Sequence, residues 1–256
     1  MADMGVSKQQ AMWMISLSAP SFLRLNRFSH KVYRNEECSS KRWKQWRHDA
    51  EPASEEWLRE LWEERHIFRS DVKDAKIVLR NFRGINSPEC LGSALTCLGK
   101  PSSLKYHYES IRAQLLSLSP GERMKWIRQV ASKLENEDVY ESIVKTLYRI
   151  PAAGIMAHDI SEHVALSRIG AVAEYLSLTE AIAQMRRAAV LAQQHYNGFM
   201  EFATAAHLGS LLSGGWRIEK ELSNQVKQAV TCPVGYWRNL PWSLVFDDTS
   251  DGIAGM

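Results

Sequence analysis

Long apolar runs, hairpin signatures and complete catalytic motifs are all missing from this chain. No uninterrupted apolar stretch approaches the roughly 20 residues that a membrane-spanning helix needs, so a membrane span is not expected. Asn-Gly or Asp-Gly turns between β-branched runs are absent. Asp251-Gly252 lies in a polar tail. No Gly-rich phosphate loop, dinucleotide fingerprint or Gly-x-Ser-x-Gly nucleophile turn occurs. Cysteine is scarce: Cys38, Cys90, Cys97 and Cys232 are all there is, and the spacing of Cys90 and Cys97 fits no common zinc or redox pattern. Reduced thiols in a cytosolic compartment are the simplest reading. Charge of one sign is lacking too. The net charge is +3 over 256 residues, too small by itself to imply nucleic-acid binding.

One stretch, "AMWMISLSAPSFL" (11–23), has the look of a targeting segment. Ser16, Ser18, Pro20 and Ser21 interrupt it, and Lys8 is the only basic residue before it, which weighs against a secretory signal. With 45% hydrophobic and 24% charged residues, the chain can bury a core. Its length fits one large domain, or one domain with a smaller attachment.

What is present reads as helix. "LSPGERMKWIRQVASKLE" (118–135) starts with Ser119 as cap, Pro120 at the first helical position and Glu122 completing a capping box. Met124, Ile127, Val130, Ala131 and Leu134 recur at helical spacing. "LSLTEAIAQMRRAAVLAQQHY" (176–196) repeats that start with Ser177 and Glu180. Pro151 and Gly154 punctuate the junction after "DVYESIVKTLYRI" (138–150). The helix over 155–173 is apolar nearly all round, as buried helices are. "FMEFATAAHLGSLLSGGW" (199–216) reads as a further helix ending at Gly214-Gly215, and "TCPVGYWRNLPW" (231–242) as an irregular aromatic segment in which Pro233 and Pro241 oppose helix. The expected fold is all-α: an irregular multi-helix bundle with a buried central helix near 155–175.

The first 70 residues read differently. Positions 24–47 hold eight basic residues and two acids, and positions 49–65 hold seven acids and two bases. Ser54 can cap a helix starting at Glu55, with Trp57, Leu58, Leu61 and Trp62 on one face. The expected organisation is a variable, charge-segregated segment over 1–70, a helical domain over 71–245 and a flexible tail over 246–256.

The central blocks carry a resemblance. "HDISEHVALSRIGAVAEYLSLTEA" (158–181), "FMEFATAAHLG" (199–209), Trp216 and "YWRNLPW" (236–242) together resemble a bacterial family, domain of unknown function 1266. Asp159, Leu166, Arg168, Gly170, Tyr175, Leu176, Ser177, Glu180 and Ala181 match its first block, and Gly209, Trp216, Pro241 and Trp242 its later ones. The resemblance covers about residues 120–245. It departs at His158, Glu162, Ile169 and Ser210, where the family usually has Trp, Arg, Trp and Arg. It implies an α-helical domain in a bacterial cytoplasm and carries no established activity.

Asp159, Glu162 and His163 stand at i, i+3 and i+4, so they are neighbours on one helix face. Such a set can bind zinc or pass a proton. The pattern D-x-x-E-H lacks the first histidine of H-x-x-E-H, however, and His158 lies roughly 140° away from His163 around the helix. His207 and His195 are further residues that could converge there. The plainer reading is a structural polar network of Asp159, Arg168 and Glu180, with His163 hydrogen-bonded nearby.

"KRWKQWRH" (41–48) is the nucleic-acid candidate: Arg42, Lys44 and Arg47 can neutralise phosphates, while Trp43 and Trp46 can stack on bases. The acidic block that follows would repel phosphate. The nine tryptophans, Trp43, Trp46, Trp57 and Trp62 among them, also suit a protein interface.

The leading expectation is therefore a cytoplasmic protein that binds another protein, such as a cognate inhibitor or accessory protein of a bacterial toxin or secretion system. A metal-assisted hydrolase using Asp159, Glu162 and His163 is the enzymatic alternative, with His207 as a further ligand. Nucleic-acid binding through 41–48 is the third. No cofactor is expected.

Overall fold

A run that is apolar on every side cannot hide by turning one face inward. It has to be surrounded. That is the position of the 155–173 stretch in the computed structural model, which describes residues 3–18, 20, 51–58, 72–97, 100, 102–134, 137–215, 237 and 240–246. Strand β1 (Asp3–Ser7) runs into helix α1 (Lys8–Ser16), and β2 (Pro52–Ser54) pairs with β1. There follow α2 (Val72–Arg83), α3 (Pro88–Leu95), α4 (Ser103–Ser117), α5 (Pro120–Leu134), α6 (Glu137–Thr146), α7 (Met156–Val172), α8 (Leu178–His195) and α9 (Phe199–Ser210). A π-helical turn, Leu211–Gly215, continues α9. The architecture is all-α, with one antiparallel two-stranded ribbon among the described residues, whose register runs Asp3 to Ser54 and Ser7 to Pro52 through an irregularity.

Helix α7 is the central element. Ile160 and Val164 face the larger core, built from α1 and α4 to α9. Ala165 and Ile169 face a smaller one, built with Ala75, Leu79, Leu91 and Leu95 of α2 and α3. Its main neighbours are α8 and α9 on one side and α2 and α3 on the other.

The capping signals form as their chemistry requires. The Ser119 N–H donates to the Glu122 carboxylate at 2.8 Å. In α8, the Ser177 N–H donates to Glu180 at 2.7 Å, and the Glu180 N–H donates back to the Ser177 hydroxyl at 3.2 Å. Each removes an orphan donor from a helix start. Met124, expected on the core face of α5, is instead exposed, while Ile127 is fully buried.

Positions 11–18, the first part of the possible targeting segment, are buried throughout. Ser7 and Gln10 cap α1 reciprocally. Trp13 sits at the centre of an aromatic cluster with Phe199, Trp242 and Phe246, at centroid distances of 5.5, 5.1 and 5.1 Å. Its indole N–H donates to the Pro241 carbonyl at 3.0 Å. Residues 3–18 thus belong to the same core as the later helices. Phe246, the first residue of the expected flexible tail, is buried there too.

Candidate functional site

The polar side chains of α7 are where chemistry was expected. The helix begins after a turn in which Gly154 takes a φ of +62°, a conformation natural to glycine. Its N-cap, Ile155, has no side chain that can accept a hydrogen bond. Tyr196, at the end of α8, does that work. Its buried hydroxyl accepts from the Ala157 N–H at 2.7 Å and donates to the Gly154 carbonyl at 3.1 Å. Burial holds the Tyr196 phenol well above the ordinary tyrosine range, so it stays a neutral donor. Sequence reasoning missed this residue, because its partners lie 39 and 42 positions away.

Asp159, Glu162 and His163 do share a stretch of helix, but each turns to a different neighbour. The half-buried Asp159 carboxylate accepts from the Ser102 hydroxyl at 2.9 Å. Ser102 is also the cap of α4, accepting from the Lys105 N–H at 3.1 Å. Burial raises the Asp159 pKa; the Ser102 hydrogen bond and the positive charges of Lys105 and Arg83 pull the other way. Glu162 forms an ion pair with Arg83 of α2. The His163 Nε2 meets Gln184 Oε1 of α8 at 3.1 Å. Desolvation pushes this imidazole down to about 4, against the Gln184 hydrogen bond and with the repulsion of Arg187. At neutral pH His163 is uncharged.

The expected network of Asp159, Arg168 and Glu180 does not form. Asp159 and Arg168 are nine residues apart, which puts them about 180° from each other around the helix. Arg168 is buried on the far side and donates to the Ser18 hydroxyl at 2.7 Å. Glu180 is exposed and committed to its capping box, and the Ser177 hydroxyl and backbone N–H lower its pKa.

A different set of polar groups meets at the α7–α9 crossing. His158 Nε2 lies 3.6 Å from Glu162 Oε1, and His158 Nδ1 lies 3.3 Å from Ser210 Oγ. Gly209 allows this approach: a Cβ there would collide with the His158 Cβ. His158 and Ser210 are both buried, and the Ser210 hydroxyl donates to the Ala206 carbonyl at 3.0 Å. The string Arg83–Glu162–His158–Ser210 links three helices, from the exposed Arg83 inward to the buried Ser210. In this arrangement it acts as a packing joint, with a hydroxyl already spent on its own helix.

His207 is half-buried on α9. Its Nδ1 has no hydrogen-bond partner among the described residues, and burial lowers its pKa. His195 is exposed at the end of α8. Among the described residues no group of three His, Cys, Asp or Glu side chains is placed to hold a metal ion. Trp57 is buried in the larger core, so it is a core residue and not the interface residue expected. Its backbone N–H donates to Ser54 Oγ at 3.1 Å, as the cap reading required. Arg42, Trp43, Lys44, Trp46, Arg47 and Trp62 lie outside the described residues.

The model of a family described as "Protein of unknown function (DUF1266)" matches residues 33–242. The chain belongs to the DUF1266 family. The match starts well before residue 120, where the recognisable blocks begin. Comparison with curated proteins and with solved structures gave no match. Three of the positions where the sequence was expected to depart from the family fall together in space. His158, Glu162 and Ser210 are the side chains that meet at the α7–α9 crossing. Among the described residues of this DUF1266 protein, no helix is long and apolar enough to cross a membrane.

Proposed function

We propose that this protein works by binding another protein, not by catalysis. The observation that carries this reading is a set of exposed apolar side chains around Arg123. Leu116, Met124 and Tyr148 are 46%, 39% and 74% exposed. They come from the end of α4, the start of α5 and the turn after α6. Arg123, itself buried, ties these segments together. Its Nε donates to the Leu115 carbonyl at 2.6 Å and its Nη2 to the Tyr148 hydroxyl at 2.8 Å. The guanidinium carbon lies 5.5 Å from the Tyr148 ring centroid, so the ring is held out toward solvent and does not fold back. Tyrosine so presented, beside aliphatic neighbours, is the residue type that anchors protein interfaces.

Two further features support the reading. Asp159, Glu162 and His163 turn to Ser102, Arg83 and Gln184 respectively and do not converge on one point, and the Ser210 hydroxyl beside His158 is hydrogen-bonded within its own helix. Cys90 and Cys97 are exposed free thiols, which suits a reducing cytoplasm. Within that setting, a cognate inhibitor or an accessory protein of a toxin or secretion system is the role we favour.

The test is capture of the tagged full chain from its native source, beside a Tyr148→Ala/Met124→Ser variant of unchanged circular dichroism. One stoichiometric, salt-resistant partner should co-purify with the parent and be lost from the variant. Equal recovery with both would remove this face from the interface. A hydrolytic activity abolished by Asp159→Ala, with folding intact, would overturn the binding reading altogether.

A further inference from the structure

A cavity of about 600 Å³ opens between α2 and the turn that follows α7. One wall is a single face of α2, carrying Lys73, Lys76, Ile77 and Arg80. Residues three, four and seven apart share a face, so these side chains point the same way. Asn86 and Tyr175 form the opposite wall. Among the described residues, no acidic side chain lines the cavity. Asp74, the acid in the first turn of α2, is not among the described residues that line it.

Two of these cations, Lys76 and Arg80, differ from Arg83. Arg83, one turn on, is paired with Glu162. Lys76 and Arg80 have no ion-pair partner among the described residues; Lys76 rests over the Tyr175 ring, 5.4 Å from its centroid. Like charges gathered on a concave wall raise the local potential and favour an anion.

The aromatic wall is held firmly. Helix α7 ends in a Schellman motif: the Tyr175 N–H donates to the Gly170 carbonyl at 2.8 Å, and the Glu174 N–H to the Ala171 carbonyl at 3.1 Å. The left-handed position in this motif normally goes to glycine. Here it is Glu174, with φ +59°, the one non-glycine residue of positive φ among those described. The Tyr175 hydroxyl then donates to the Asn86 carbonyl at 3.0 Å, which fixes the ring from its other end.

We propose that this cavity binds a nucleoside polyphosphate. Lys76 and Arg80 stand about one turn apart, roughly 6 Å along the helix axis. A chain of two or three phosphates can give each of these cations its own phosphate. Arg80 offers a planar fork matched to phosphate oxygens, and Lys76 a point charge beside it. Tyr175 and Ile77 offer a flat and an apolar surface for a base. The volume lies in the range of small-molecule sites. The cations line a pocket and do not track along a groove, which favours a small ligand over a nucleic-acid strand.

The test is isothermal titration calorimetry of the full chain with ATP, GTP and inorganic triphosphate, at low and at physiological ionic strength. ATP or GTP should bind more tightly than triphosphate, with affinity falling as salt rises. Lys76→Gln/Arg80→Gln should lose about tenfold or more for all three, while Lys125→Gln/Arg128→Gln on α5 should change nothing. Tyr175→Leu should weaken the nucleotides and spare triphosphate. The charge variant sits on the surface, and an unchanged melting curve establishes that it folds. Failure of all three ligands to bind overturns the proposal, as does binding that survives the charge variant. Tighter binding of a single-stranded RNA oligomer through Lys76 and Arg80 would replace it with a nucleic-acid site. None of these outcomes bears on the Tyr148 face, which is built from other helices.

Discussion

The first half of α7 and the outer wall of α2 both concentrate ionisable side chains, and they treat them in opposite ways. On α7, every candidate side chain closes on protein: Asp159 on Ser102, Glu162 on Arg83, His163 on Gln184 and His158 on Ser210. On α2, Lys76 and Arg80 face a void. The difference separates two meanings of a polar cluster. Buried polar groups have to be satisfied, because an unpaired one costs 1–3 kcal/mol or about that. Satisfied by neighbouring helices, they fix which helix packs where. Cations left open at a cavity have no such structural task, and a ligand can supply their partner.

If α7 is a set of joints, disturbing them should be felt in stability. The largest effect should come from acid. His163 has a folded pKa of about 4 against an ordinary 6.5. Between those values the unfolded chain binds a proton that the folded chain does not. This contribution is therefore intact above pH 6.5 and lost as pH falls toward 4, amounting to about 3 kcal/mol. Urea unfolding across that window should show the slope in the parent, and His163→Gln should flatten it. An equal slope in both would mean that His163 titrates normally and is not a buried joint.

Tyr196→Phe comes next. It strands the Ala157 N–H at the start of α7, and about 2 kcal/mol should be lost in denaturant titration. A loss near zero would mean that the hydroxyl is not the cap. The smallest effect belongs to the cavity side. Glu174→Gly relieves a left-handed residue and should raise stability by about 1 kcal/mol, read as a higher melting temperature. A destabilised variant would show that the Glu174 side chain contributes more than its backbone strain takes away.

Much of the helical layout is legible in the chain because its signals are short-range. Ser119, Pro120 and Glu122, and Ser177 with Glu180, start α5 and α8 by hydrogen bonds that span three residues. The apolar wrap of 155–173 announces a buried helix, and α7 is one. The candidate site was legible only in part. Spacing correctly put Asp159, Glu162 and His163 on adjacent turns. It could also have separated Asp159 from Arg168, since nine residues is half a turn out of phase. Trp57 shows the limit of composition: an aromatic suited to an interface is equally suited to a core, and here it is buried.

By itself, the sequence determined the helical class, the main caps, the burial of α7 and membership of the DUF1266 family. Periodicity, capping and motif spacing act within a turn or two of chain. Only the tertiary structure decided that Trp13 would seat against Pro241 and Phe246, that Arg168 would find Ser18 across 150 positions, and that α2 and the turn at Glu174 would enclose a cavity. Those contacts depend on which surfaces meet once the helices pack, and no local pattern encodes the partner on the other side.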